Sequence, residues 1–105
     1  MAATPQKDKF AVISKFESLC KKHGHVRAPL YKYKEQWAAD ALIQSYGLNG
    51  TYELMDYYFS INDNPHWTHF TVRAGDLYVA MKAKAQDDAY RAKQREIMKE
   101  LLNES

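Results

Sequence analysis

A chain of 105 residues has room for one domain, because a second core would have too little apolar surface to close. With 46% hydrophobic and 13% aromatic residues it can bury a core, which excludes the low-hydrophobicity signature of disorder, and one cysteine excludes an internal disulfide. The net charge of +2 hides a division: residues 1–34 carry eight Lys/Arg against Asp8 and Glu17, whereas residues 35–81 carry Arg73 against six acids. A segment of +6 followed by one of −5 points to a basic surface for an anionic partner, or to a basic arm folded back on an acidic face.

The first element is a helix. Thr4 and Pro5 read as an N-cap and first helical residue, and Phe10, Ile13, Phe16, Leu19 and Cys20 recur at helical intervals. It is expected to stop at His23-Gly24, where glycine takes the left-handed conformation beyond a helix end. Residues 25–29 then read as a loop. A second helix, from about residue 31 to 47, is expected to turn Tyr33, Trp37, Ala41, Leu42 and Tyr46 towards the core. Thr51 reads as the N-cap of a third, whose stripe is Leu54, Met55, Tyr58, Phe59 and Ile61.

Asn62-Asp63-Asn64-Pro65 forces a turn. Residues 66–70 read as a single helical turn presenting Trp67 and Phe70, and Thr71 as the cap of a last helix of about 25 residues. Leu77 and Met81 stand near one end of that helix, and Ile97, Leu101 and Leu102 near the other. Its alanine-rich, charged middle is expected to be exposed or packed on a partner. The reading is an all-α single domain, a compact bundle of four or five helices with a long C-terminal helix, frayed at 1–4 and 103–105.

The start MAATPQKDKF lacks the apolar region of a secretory signal, and no run approaches the roughly 20 apolar residues of a membrane span. The expectation is a soluble protein of a reducing, cytosolic compartment, monomeric or homodimeric.

The strongest candidate site is basic and aromatic: Lys21, Lys22, His25, Arg27, Lys32 and Lys34 lie close together, interleaved with Tyr31 and Tyr33. Cations follow phosphates and aromatic faces stack on unpaired bases, a combination suited to single-stranded nucleic acid. A solvated helix end and loop with both tyrosines in the core is the competing reading. Arg73, Lys82 and Lys84 would extend the surface if the last helix begins beside the arm. A second candidate is Tyr57 with Asp56 and Asp63, an aromatic in acidic surroundings that favours a protein partner over a phosphate polymer.

Cys20, His23, His25, His66 and His69 include enough nitrogen and sulfur donors for zinc, but their spacing matches no common zinc pattern and Cys20 sits on an apolar stripe. No metal or other cofactor is expected. Cys20 near a histidine, and Glu53 with Asp56, lack the oxyanion site or phosphate loop of a catalytic centre. No enzymatic activity is expected.

The pieces Trp37, Leu42-Ile43, Gly47, Asn64-Pro65-His66-Trp67, Phe70 and Leu77 together resemble a helical module of bacteriophage and bacterial replication proteins, the DnaD-like or DnaT-like C-terminal domains of helicase loaders and replisome organisers. The resemblance covers about half the chain, and His66 and Arg73-Ala74 depart from the module's usual aromatic and Ser-Pro. It implies a compact helical domain that binds DNA, often single-stranded, or docks on a replication protein, with Trp67, Phe70 and Leu77 as packing residues. The expected function is therefore that of a non-catalytic phage-type accessory factor in DNA replication or transcription. The alternative is a small adaptor or inhibitor that holds a host or phage protein through the acidic aromatic middle and the last helix.

Overall fold

The computed structural model of the chain describes residues 4–25 and 29–103. Three helices, α1 (Gln6–Lys22), α2 (Lys32–Ile61) and α3 (Trp67–Asn103), account for nearly all of them, and no strand occurs among the described residues. The all-α reading and the long final helix hold; the expected four or five helices are three. The count differs at two boundaries. Gly47 leaves helical geometry (φ 75°, ψ 168°), yet α2 continues on both sides of it as two arms. The turn at Trp67 runs straight into the last helix, which reaches 37 residues, about 55 Å at the usual rise.

α1 starts one residue later than its sequence indicates. Pro5 occupies the cap position and its carbonyl accepts the amides of Asp8 (3.0 Å) and Lys9 (3.3 Å). Thr4 does not cap; its hydroxyl accepts a bond from Gln44 Nε2 at 2.9 Å, tying the start of α1 to α2. Of the ends expected to fray, residues 1–3 and 104–105 lie outside the described residues, and Asn103 is the last residue of α3. At the other end of α1, Gly24 has φ 79°, its amide bonds Lys21 O (3.1 Å), and the His25 amide bonds Cys20 O (2.8 Å). This double closure satisfies carbonyls that the helix end would leave open, and glycine meets its positive φ without a Cβ clash.

The first arm of α2 runs antiparallel to α1, with Thr4 against Gln44, Lys9 against Trp37 and Phe10 against Tyr33. Beyond Gly47 the second arm crosses α1 where Lys15 meets Tyr52 and Asp56 and where Phe16 meets Tyr58 and Phe59. Thr51 is not an N-cap: it is fully buried and its hydroxyl donates to Gly47 O at 2.7 Å, linking the first turn of the second arm to the bend. α3 lies beside the first arm in the same direction, since Trp67 meets Glu35 and Tyr46 meets Tyr78, eleven residues further along each helix.

The core forms where these segments meet: Val12, Ile13, Phe16 and Cys20 from α1, Ala39, Leu42, Leu54, Met55, Tyr58 and Phe59 from α2, and Trp67, Phe70, Ala74 and Leu77 from α3. Phe16 stands at its centre, with the rings of Phe59, Trp67, Phe70 and Tyr58 at centroid distances of 5.1, 5.4, 5.8 and 6.3 Å. Such pairs add about 0.5–1.5 kcal/mol each beyond the area they bury. Tyr58 closes the far side: its hydroxyl oxygen accepts the His66 amide (3.0 Å) and lies 2.9 Å from His69 Nδ1, so the turn before α3 is fixed to the end of α2.

Several residues expected in this core lie outside it. Tyr33 and Trp37 are mostly exposed, Ala41 is exposed, and Ile61 faces water where α2 ends. Leu42 is buried as expected and Tyr46 is half-buried against the core, and Ala39 joins them in place of the exposed residues. Thr71, expected as a cap, lies inside α3 and donates to Thr68 O at 3.0 Å.

Candidate nucleic-acid interface

The outward side of the first arm gathers a basic and aromatic surface. Tyr31, at the cap position of α2, is 67% exposed, Tyr33 59% and Trp37 69%. Tyr33 and Trp37 are one helical turn apart and therefore share a face. Tyr31 lies against Tyr33 at a ring distance of 6.1 Å, and Phe10 meets the edge of Tyr33 at 5.5 Å. Lys9 reaches across from α1 to stand 5.8 Å over the Trp37 ring, within the range in which an ammonium is attracted by an indole face. Lys32 is half-buried and Lys34 exposed beside these rings.

The local electrostatics favour an anion. These residues occupy the N-terminal end of α2, where the helix dipole is positive and no side chain caps the amides. Glu35, the nearest acid in sequence, is turned the other way and accepts a bond from Trp67 Nε1 at 2.9 Å. Asp40, one turn beyond Trp37, keeps its Oδ1 buried with no hydrogen-bond partner among the described residues.

The remaining expected residues divide. Lys21 and His25 line a cavity of about 450 Å³ between the end of α1 and the start of α3, whose apolar walls include Phe16, Leu30, Pro65 and Trp67. Lys22 is exposed at the last residue of α1, and Arg27 lies outside the described residues. Arg73 is paired with Asp76 on its own helix at 3.9 Å. Lys82 lies over the Tyr78 ring at 5.4 Å, and Lys84 pairs with Asp88 at 3.9 Å. Tyr78 faces the far end of the first arm, so Lys82 and Lys84 are displaced from Trp37 by on the order of 20 Å along the helix axes.

The acidic candidate is less open than its sequence indicates. Tyr57 is half-buried against the core, Asp63 is exposed in the turn after α2, and Asp56 is paired with Lys15 at 3.6 Å. Lys15 also lies 4.8 Å over Tyr52, so part of the basic arm does fold back on the acidic segment. The residues considered for zinc are dispersed: His69 is bonded to Tyr58, His23 stacks on Phe59 at 5.5 Å, and no three His, Cys, Asp or Glu side chains converge among the described residues.

Sequence reasoning missed Trp37 and Lys9. Trp37 falls at a helical interval from Tyr33 and so reads as core; the available signal was that both sit in a cluster of lysines, which a buried stripe avoids. Lys9 is far from the arm in sequence and joins it only because α1 and α2 are antiparallel.

No protein-family model, no curated protein and no solved structure matches the chain. Among the described residues, no helix is long and apolar enough to cross a membrane.

Proposed function

We propose that the protein is a non-catalytic accessory factor that binds single-stranded DNA across Tyr31, Tyr33 and Trp37, with Lys9, Lys32 and Lys34 along the phosphates. One observation carries the reading: three large rings stand mostly in water beside ammonium groups at a helix N-terminus. A ring stacked on an unpaired base contributes about 1–3 kcal/mol and tolerates any sequence. Cations at the rim add the salt-dependent part of the affinity. Lys21, Lys22 and His25 lie further along the same basic segment. The resemblance to helicase-loader and replisome-organiser modules makes bacteriophage DNA replication the natural setting, and transcription a related one.

The test is a titration of labelled single- and double-stranded oligonucleotides at several salt concentrations. Lys32→Ala with Lys34→Ala should weaken binding and flatten the log–log salt dependence by about 0.7 for each lost contact to a single strand. Trp37→Ala should weaken it by about 1–3 kcal/mol and leave the slope unchanged. Affinity and slope that stay at wild-type values in both variants would remove this face as the binding site.

A second reading is an adaptor or inhibitor that holds a host or phage protein through Asp56, Tyr57, Asp63 and the last helix. The observation in its favour is that α3 is exposed at every residue from 82 to 103. Absence of binding to either form of DNA at low salt would move the assignment there.

A further inference from the structure

α3 carries one uncharged side in its first half and another in its second, and the fold uses the first. Trp67, Phe70, Ala74 and Leu77 lie on one side and are buried against α1 and α2. Past Met81 the same side continues as Asp88, Arg95 and Lys99, all in water. Val79, Ala83, Gln86, Tyr90, Ile97 and Leu101 instead fall within an arc of about 80° centred about 180° from the buried side, given about 100° of rotation per residue. Gln94 completes the row, and no charged residue enters this arc between 79 and 101. Val79, Tyr90, Ile97 and Leu101 are exposed by 68, 63, 41 and 58%.

The steps from Val79 to Ala83, Gln86 and Tyr90 are four, three and four, the alternation of a coiled-coil seam; Gln94, Ile97 and Leu101 resume it after one extra step of four, which loosens the supercoil locally.

We propose that residues 79–101 of α3 pair with the same residues of a second copy of this chain in a parallel two-stranded coiled coil. Three observations select this occupant. A helix whose every residue from 82 to 103 is in water is marginal by itself, and its ion pairs Lys84–Asp88 and Arg91–Asp87 (3.9 and 3.2 Å) supply only a few tenths of a kcal/mol each. The seam faces directly away from the core, so two bodies sit on the outer sides of the paired helices without meeting. Lys82 and Asp87 flank the seam on opposite edges, five residues apart. Parallel pairing therefore sets Lys82 of each copy against Asp87 of the other, twice by symmetry.

The seam is about 34 Å long and about 10 Å wide, so two copies cover on the order of 700 Å² in projection and more once side chains interdigitate. That is the lower end of specific interfaces, and the two glutamines in the seam weaken it further while fixing its register. A dissociation constant of about 10–100 μM is expected.

Sedimentation equilibrium of the full chain up to about 500 μM should show a reversible monomer–dimer equilibrium in that range. Tyr90→Glu with Ile97→Glu should hold the protein as a monomer with unchanged tryptophan emission, because neither residue touches the core. Gln86→Cys and Gln94→Cys, each as a single change, should both give disulfide-linked dimers on mild oxidation, since parallel register places each residue opposite its own copy. A protein that remains monomeric throughout, or a dimer that survives the double glutamate variant, overturns the proposal. A dimer that cross-links at only one of the two cysteine positions, or at neither, is not in parallel register and overturns it equally.

Discussion

Tyr58 shows how much one buried polar atom constrains. Its ring is fully buried among Phe16, Phe59 and Phe70, and its hydroxyl serves the His66 amide and His69 Nδ1 at the point where α2 hands over to α3. Tyr58→Phe keeps the ring and removes the partner of a part-buried amide, so it should cost about 1–3 kcal/mol in urea denaturation. The loss should be accompanied by faster exchange of the His66 amide, whereas an unperturbed amide would show that water replaces the hydroxyl. The same scale holds the clearest limit of sequence reading. Tyr33, Trp37 and Leu42 all read as core, but two stripes run along the first arm, and the packing keeps Leu42, adds Ala39 and leaves the two rings in water. Periodicity reports that a stripe exists; which of two stripes faces inward depends on the neighbouring helix.

At the scale of elements, the two glycines of greatest interest in the helices have opposite roles. Gly47 carries φ 75° at the bend of α2, where an L side chain is strained whatever the space, although no atom lies within 4 Å of a Cβ placed there. Gly47→Ala should therefore destabilise the fold by about 1–2 kcal/mol. Gly75 lies inside α3 with ordinary helical geometry and equally open space, so Gly75→Ala should stabilise by about 0.5–1 kcal/mol. Thermal melts of the two variants moving in the same direction would contradict the distinction. The ends of α1 were nearly legible: glycine after two lysines and a histidine marks the Gly24 closure unambiguously, and the start errs by one residue. The count of helices was not legible. Gly47 is a genuine breaker of dihedral angles, but helix follows directly on its far side and the Thr51 hydroxyl bridges the bend. Pro65 ends one segment without preventing the following turn from extending into α3. Of the candidate interface, the lysines and tyrosines of the arm could be read from their clustering, whereas Lys9 required the tertiary pairing of α1 with α2.

The whole molecule is a small helical body with a rod attached. Its radius of gyration is 17.9 Å, against about 13 Å for a compact domain of this length. The excess comes from the end of α3, consistent with a longest dimension of 64 Å. A chain ending at Met81 should retain the core and its thermal stability to within about 0.5 kcal/mol, because the described residues removed, 82–103, are all exposed. Its radius of gyration by small-angle scattering should fall to about 12 Å. A large loss of stability would mean that the rod contributes to the body it projects from. The division of charge along the sequence also acquires a spatial meaning. Lys15 turns to Asp56 and Tyr52, and Lys9 turns to Trp37, so the basic segment partly neutralises the acidic one and partly remains available.

The two tryptophans report on different parts of this molecule. Trp67 is buried and bonded to Glu35, so its emission follows the integrity of the core, whereas Trp37 stands in water beneath Lys9 and follows whatever lands on that face. Quenchers dissolved in the buffer should reach only Trp37 in the folded protein. The native chain thus carries an unlabelled optical probe of its outer surface and a separate one of its interior, and Trp67→Phe isolates the first.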